Sequence, residues 1–585
     1  MRFVKILLAV IVGVLLAIGL LFGLLIGILS WLGRPSLPHV PEQAVLYLPL
    51  SGPLWEHRPE DPLLGLASGL EGALTLWSLR HIVEVAASDR RIQAVWVQLG
   101  DLQADWARLT EARRLLERLR RAGKYVIAYS GPDGFSEAAY YVATAADSLF
   151  GPPEGFFEWD GLYAQTFFFK GTLDRLGIQV ETIRAGAYKG AVEPFTRRNL
   201  STENRQQLSA LLNVFDEVLL EEVSRSRRVA RDSLLLWRNT ARIRSTAQAH
   251  ALGLLDGLAY KEELEALLRR RLGLSEGRRL PLVEASQYAR LPNPERKGPE
   301  AVAVVYATGT LVSGESGVDP LSGEATLGSE SFLRTLHRIG EDRTVKAVLL
   351  RIDSPGGSAP ACDVMWHAIR ELGRKKPIVA SLSGVAASGG YYLAVGADTI
   401  VADPTSITGS IGVFGLRVNA APFLEQKLGI TTDTVKTAPY ADWNSGLRPL
   451  RAEERRWIEA EIERIYGTFL RRVSAGRGRS VEEIAPLAGG RVWSGRDAYR
   501  LGLVDTLGGF DVALQMLCRR AGLDPERVRL KPYPTPRSLL EHVLERLSAR
   551  FRLPFHSLQS GWRAYQDLQK ESWLWAWWPF RLQVR

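Results

Sequence analysis

Six segments of this chain recur in the same order about 250 residues further on, and that duplication limits the possible folds more than any other feature. AVLYLPLSGPL (44–54) is answered by AVAVVYATGTL (301–311), RRIQAVWVQL (90–99) by DRTVKAVLLRI (342–352), and GKYVIAYS (123–130) by KKPIVASL (375–382). YYVATAADSLFGPP (140–153) is answered by YYLAVGADTIVADP (391–404), RLGIQVETIRAGAYK (175–189) by KLGITTDTVKTAPYA (427–441), and ALGLLDGL (251–258) by RLGLVDTL (500–507). A chain of 585 residues exceeds what one core organises. The repeat shows where it divides: two copies of one module joined by the proline-rich, charged stretch RLPNPERKGPE. Within each copy short β-branched runs alternate with helical stretches such as LTEARRLLERLRRAG (109–123), which predicts an α/β fold with largely parallel, buried strands. The expected organisation is an anchor at 1–34, a first repeat at 40–290, a linker at 291–300, a second repeat at 301–535 and a tryptophan-rich amphipathic tail at 536–585.

The two copies differ in complementary ways. In the second, the strand AVLLRI runs into DSPGGS (353–358), a turn that exposes consecutive backbone N–H groups with no side chain in the way. In the first the same strand runs into GDLQAD, without the glycine turn. Aligning Tyr140 with Tyr391 sets Ser388, in GVAASGGYYLA, opposite Glu137. In the other direction, Lys189 of AGAYKGAVEP stands opposite Ala441. One half holds a serine and a glycine turn, and the other holds a lysine.

Alone, each feature is ordinary: Ala-Ser-Gly-Gly suits a helix N-cap, SPGG a turn, and a lone lysine a wet surface. Together they form the parts of a serine hydrolase. Ser388 at a strand-to-helix junction places its hydroxyl among small residues, where a substrate backbone can approach. The Gly389 N–H, with that of Gly357 or Gly356, can form an oxyanion hole. A serine needs a base. No histidine lies in these motifs, which leaves lysine, and a lysine must be desolvated to act near neutral pH.

Other classes fit less well. The two cysteines, Cys362 and Cys518, lack metal-ligand spacing, and the eight histidines are scattered without an HExxH, so neither a metal nor another cofactor is expected. The net charge of +10 is spread along the chain without basic runs interleaved with aromatics, which argues for a solvated or membrane-facing surface rather than nucleic acid. After MRFVK, no charge falls between Lys5 and Arg34. As a helix, that run of 28 residues spans about 42 Å against roughly 30 Å of hydrocarbon. It is too long for a signal-peptide core and lacks a clean small-x-small cleavage site, so it predicts an uncleaved single-pass membrane helix. Arg2 and Lys5 precede it, which puts the body of the protein on the extracytoplasmic side of the plasma membrane. In the tail, Trp573, Trp575, Trp577 and Trp578 suit a bilayer interface and a neighbouring subunit equally.

DSPGGS, AASGGYYLA and SITGSIGV (406–413), with AYKGAVEPF upstream, resemble the long, duplicated form of bacterial signal peptide peptidase A, over roughly residues 44–535. The resemblance implies two tandem ClpP/crotonase-like repeats and a membrane-anchored Ser-Lys protease that degrades cleaved signal peptides. It makes Ser388 the nucleophile, Lys189 the general base, and Gly357 and Gly389 the oxyanion donors. It also makes Ser410 the hydroxyl that orients the lysine, a role that nothing in the residues alone suggested. It implies peptide substrates and a homotetramer. Asp353 departs from the asparagine more usual before Ser-Pro-Gly-Gly, changing the charge at the turn but not its N–H donors. Each chain carries one such catalytic lysine and one such serine, so the pair is expected within one chain. Two rival readings are a crotonase-like acyl-CoA enzyme, which needs no nucleophilic serine, and an inactive assembly protein of the same fold.

Overall fold

The computed structural model describes residues 38–57, 74–318 and 324–534, with Gly13 and the backbone of 575–577. The apolar run after Lys5 and nearly all of the tail lie outside the described residues, and among those described no helix is long and apolar enough to cross a membrane.

Each half builds a mainly parallel sheet. In the first, strands Ala44–Pro53, Ile92–Gln103, Tyr125–Ser130 and Ser148–Gly151 pair side by side in parallel. In the second, Ala301–Thr308, Val345–Ser354 and Ile378–Ala387 do the same, and Thr399–Ala402 and Ile407–Gly409 both pair with the last of them. The central strands are buried on both faces, which is why they read as unbroken apolar runs. Helices cover them. Trp106–Arg121 starts on the Asp105 cap and sends Leu109, Ala112, Leu116 and Leu119 into the first core. Ala359–Gly373 starts on the Ser358 cap and sends Cys362, Met365, Ile369 and Leu372 into the second.

The duplication extends to single hydrogen bonds. Tyr140 donates its hydroxyl to the Leu254 carbonyl at 2.9 Å, and Tyr391 donates to that of Leu503 at 2.8 Å. Asp147 accepts from the Val126 N–H at 2.8 Å, and Asp398 accepts from that of Ile378 at 2.8 Å.

Three things join the halves. Strand Gln179–Ala185 of the first pairs antiparallel with Val413–Asn419 of the second over their full length. A buried ion cluster crosses the interface: Arg351 binds Glu56 at 2.7 Å and Glu111 at 2.6 Å, and Arg80 binds both Glu111 and Asp511. The stretch between the halves is docked rather than free, since Arg296 binds Glu84 at 2.7 Å and the Pro525 carbonyl at 2.8 Å. The copies also differ in one element. Residues 179–185 form a strand, but their counterparts at 431–437 form none. A strand needs a partner for its backbone, and only the first copy finds one within the described chain.

Candidate active site

The strand Ile378–Ala387 ends at Ser388, which has φ 55° and ψ −114° and then opens the helix Gly389–Ala394. A non-glycine residue with positive φ is costly, on the order of 1–3 kcal/mol, and such strain persists only where the surroundings enforce it. Here the Ser388 N–H donates to the Gly409 carbonyl at 2.8 Å, and its carbonyl accepts from the Tyr392 N–H at 2.8 Å. The hydroxyl is thereby pushed out of the strand-to-helix corner.

Lys189 follows the strand Gln179–Ala185 and precedes a short 3-10 turn, Gly190–Val192. Its side chain crosses from the first half into the second and is 1% exposed. Nζ lies 2.7 Å from Ser388 Oγ, 3.0 Å from Ser410 Oγ and 3.1 Å from the Ser410 carbonyl. Burial pushes the ammonium down to about 7. The nearby Cys362 thiol is itself pushed up to about 12 by burial, so at neutral pH it carries no charge to offset that penalty. Ser410 is held at φ 50°, its N–H donating to the Arg491 carbonyl at 2.7 Å. The structure thus brings Lys189, Ser388 and Ser410 into one cluster. Among the described hydrogen bonds, no histidine reaches Ser388.

The glycine turn lies against the serine corner. A Cβ on Gly389 would stand 2.5 Å from Cys362 Sγ, 3.0 Å from Gly356 Cα and 3.2 Å from the Gly357 nitrogen, so the Gly389 backbone approaches the glycine turn this closely only because Gly389 carries no side chain. A Cβ on Gly357 would come within 1.9 Å of the Leu311 carbonyl oxygen. Ser354 Oγ braces the turn, donating to the Gly309 carbonyl at 2.6 Å and accepting from the Gly356 N–H at 3.2 Å. Asp353 ties its base to the serine strand, accepting from the Val385 N–H at 3.2 Å. Burial pushes the Asp353 carboxyl up to about 6 although Arg108 stands 4.0 Å away. Beside the turn runs an extended backbone, Trp575–Trp577. It is antiparallel to Gly356–Ser358, with Ala576 opposite Gly357, and Trp575 also faces Phe414. An extended peptide therefore fits between these two strand edges.

In the first half the matching corner holds Glu137, which is buried and pushed up to about 7 by that burial. Its Oε1 accepts the Gly161 N–H at 2.9 Å, and no hydroxyl or lysine joins it among the described hydrogen bonds.

Comparison with known proteins decides what kind of protein carries this corner. The model of peptidase family S49 matches twice, at residues 118–275 and 370–524, once in each half. The chain belongs to peptidase family S49. A chloroplastic serine protease SPPA of Arabidopsis thaliana is 32% identical to it over 484 residues, covering 82% of this chain and 71% of that protein. Protease 4 of Haemophilus influenzae is 32% identical over 493 residues, covering 81% of this chain and 78% of its own. A putative protease of Synechocystis is 36% identical over 242 residues, only 41% of this chain. This chain is a duplicated serine peptidase of the SppA type.

The Lys189 cluster also packs against residues that the sequence reading passed over. Gly490 leaves room for the lysine, because a Cβ there would stand 2.7 Å from Lys189 Cβ, and the Gly489 carbonyl accepts the Tyr188 N–H at 3.0 Å. Gln207 spans the halves. Its Nε2 donates to the Tyr188 carbonyl at 3.2 Å, while its Oε1 accepts the Val492 N–H at 3.1 Å. The glycine pair in LAGGRVW was a visible signal, whereas Gln207 gave none because it sits mid-helix among other polar residues.

Proposed function

We propose that this serine peptidase works through a Ser388–Lys189 dyad on released signal peptides, tethered to the plasma membrane with its body on the extracytoplasmic side and assembled as a homotetramer. The observation that carries the dyad is the 2.7 Å contact between two buried side chains, contributed by different halves of one chain. With its ammonium pushed down to about 7, Lys189 is largely neutral at mildly alkaline pH and can accept a proton.

The neutral amine takes the Ser388 proton as Oγ attacks the peptide carbonyl. The Gly357 and Gly389 N–H groups receive the resulting oxyanion. Lys189 returns the proton to the leaving amine, and the C–N bond breaks to give an acyl-enzyme. Water then adds, giving its proton to Lys189. Collapse of the second tetrahedral species frees Ser388, which regains the proton. The Ser410 hydroxyl and carbonyl keep Nζ aimed at Oγ throughout. A crotonase-like reaction would leave the strained serine and its buried lysine without a task.

Support for an apolar, extended substrate comes from the strand edges at Gly356–Ser358 and Val413–Asn419, between which a Trp-Ala-Trp backbone already lies. Support for the anchor comes from the uncharged stretch between Lys5 and Arg34. The deciding experiment treats the membrane-extracted protein with a fluorophosphonate probe and, separately, with a synthetic signal peptide. Labelling at Ser388 and cleavage should both vanish in Ser388→Ala, and both should fall at least a hundredfold in Lys189→Ala. Cleavage that survives in both variants refutes the dyad.

A further inference from the structure

Gln207 reaches two peptide groups that bear on the proton transfer. Its Nε2 donates to the Tyr188 carbonyl at 3.2 Å, and that carbonyl belongs to the peptide bond leading into Lys189. Its Oε1 accepts the Val492 N–H at 3.1 Å. That N–H shares a peptide group with the Arg491 carbonyl, which accepts the Ser410 N–H at 2.7 Å. Val492 also lies opposite Gly409 in the antiparallel pair of Ile407–Gly409 with Val492–Ser494, and the Gly409 carbonyl accepts the Ser388 N–H at 2.8 Å. One amide from the first half therefore ties the peptide of the lysine to the backbone that anchors both serines.

The direction of that amide is itself fixed. Glu193, four residues after Lys189 and 1% exposed, accepts from Asn204 Nδ2 and from the Ser201 N–H on its Oε2, each at 3.1 Å. An ionised carboxylate only accepts, so Asn204 turns its NH2 to Glu193 and its oxygen to Gln207. Asn204 Oδ1 then accepts from Gln207 Nε2 at 2.8 Å. Both Nε2 hydrogens and the Oε1 of Gln207 are thereby engaged, and a reversed amide would set its oxygen against two other oxygens. The chain of side chains lies directly against the turn after Lys189, since a Cβ on Gly190 would stand 2.6 Å from Asn204 Nδ2. The repeat sharpens the point. Helices Thr202–Arg227 and Ala452–Arg477 are equivalent, each of 26 residues, and they set Trp457, 48% exposed, in the place of Gln207 and Glu454 in that of Asn204. The copy with the lysine has the amide chain, and the copy without the lysine does not.

We propose that Gln207 is a positioning residue for the proton transfer: oriented by Asn204 and Glu193, it holds the Lys189 peptide against the backbone of Ser410 and Ser388, so that Nζ stays aimed at Oγ and shut away from water. The proposal rests on the Ser388–Lys189 dyad. Gln207 touches neither substrate nor the reacting atoms and acts through the lysine. Cys362, the titratable group whose charge bears on Nζ, is untouched by a change at Gln207. The charged groups beside the joint are Glu193, Arg184 at 3.9 Å from it, and Arg491 over the Tyr188 ring, and an uncharged replacement of Gln207 leaves all three in place.

Two variants of the full-length, membrane-extracted protein test this. Gln207→Met keeps length and bulk and removes all three hydrogen bonds, and Asn204→Ala removes the partner that orients the amide. For a synthetic signal peptide, kcat should fall about 10- to 100-fold in both with KM little changed, because a misplacement of about 1 Å can cost about 10²-fold. As water reaches Nζ, the midpoint of the rise in kcat/KM with pH should move up from about 7 toward the ordinary lysine value near 10.5. Urea titration followed by tryptophan fluorescence reports the fold of each variant. A native kcat and midpoint in the folded variants overturns the proposal. A fall in kcat with the midpoint still near 7, or loss of folding in both variants, shows a purely structural amide and also overturns it. Lys189→Ala, measured alongside, separates the two readings. If it still cleaves, the dyad falls and the positioning role with it, whereas if it is inactive while Gln207→Met keeps the native profile, only the positioning role falls.

Discussion

Lys189 makes its protonation state a property of the fold. Moving an ammonium from its ordinary value near 10.5 down to about 7 corresponds to on the order of 4–5 kcal/mol against the charged form. Activity should therefore rise with pH through about 7 as a single proton leaves, read as kcat/KM for a peptide substrate. Lys189→Arg should be inactive across the range, because a guanidinium does not lose its proton. The sign for stability follows from linkage. Between about pH 7 and 10.5 the unfolded chain binds the proton and the native chain does not, so the lysine's contribution to stability rises with pH there. Below about 7 both states are protonated and the dependence flattens. Lys189→Met, which removes the charge and keeps the bulk, should gain most over the native protein at pH 6 and little or nothing at pH 10.5, measured by denaturant titration at each pH. Ser388 and Lys189 were legible in the sequence because each is missing from the other copy. Ser410 was legible only through family resemblance, since a serine in a Thr-Gly-Ser-Ile-Gly strand end has no local signature of its contact with Nζ.

At the level of elements, the serine corner and the glycine turn depend on close backbone approach rather than on side-chain reach. Gly389→Ala would drive a methyl group into Cys362 Sγ and against Gly356. The two N–H groups would part, so kcat should fall about 10²- to 10³-fold, the typical effect of losing one oxyanion donor. KM should change little, and Ser388 should still accept a small fluorophosphonate slowly. An unchanged kcat would show that the oxyanion sits elsewhere. The sequence marked these elements well where the fold is local: the strands Val345–Ser354 and Ile378–Ala387 fall where apolar runs end in glycine motifs. It was silent where pairing is remote. QVETIRA and TTDTVKT are equivalent by repeat, yet only the first forms a strand, pairing with Val413–Asn419 more than 200 residues away. Periodicity reports which face is buried, not which distant strand supplies the hydrogen bonds.

For the whole molecule, the decisive surface is the one between the halves, because the lysine comes from one side and the serine from the other. That surface is held by buried charge. Arg351 is 1% exposed and bound by Glu56, Glu111 and the Ser381 and Ser383 hydroxyls, two of its four partners coming from the first half. None of this was legible in sequence: Glu56, Glu111 and Arg351 sit in separate segments with no motif in common. Removing one partner from a buried pair leaves an uncompensated charge, at a typical cost of 3–5 kcal/mol, whereas an apolar replacement of the whole group can be neutral. Glu56→Ala should therefore lower stability by about that amount. Because the halves also share the strand pair at Gln179–Ala185 and the docked Arg296, neither should persist folded and active alone. Urea titrations of Glu56→Ala and the native protein, followed by tryptophan fluorescence and by residual peptidase activity, should give coincident transitions in each, with the variant's midpoint lower. An activity loss well before the fluorescence change would mean instead that the halves slide apart while folded. The distance between Nζ and Oγ would then be set by Arg351 and its carboxylates rather than by either core.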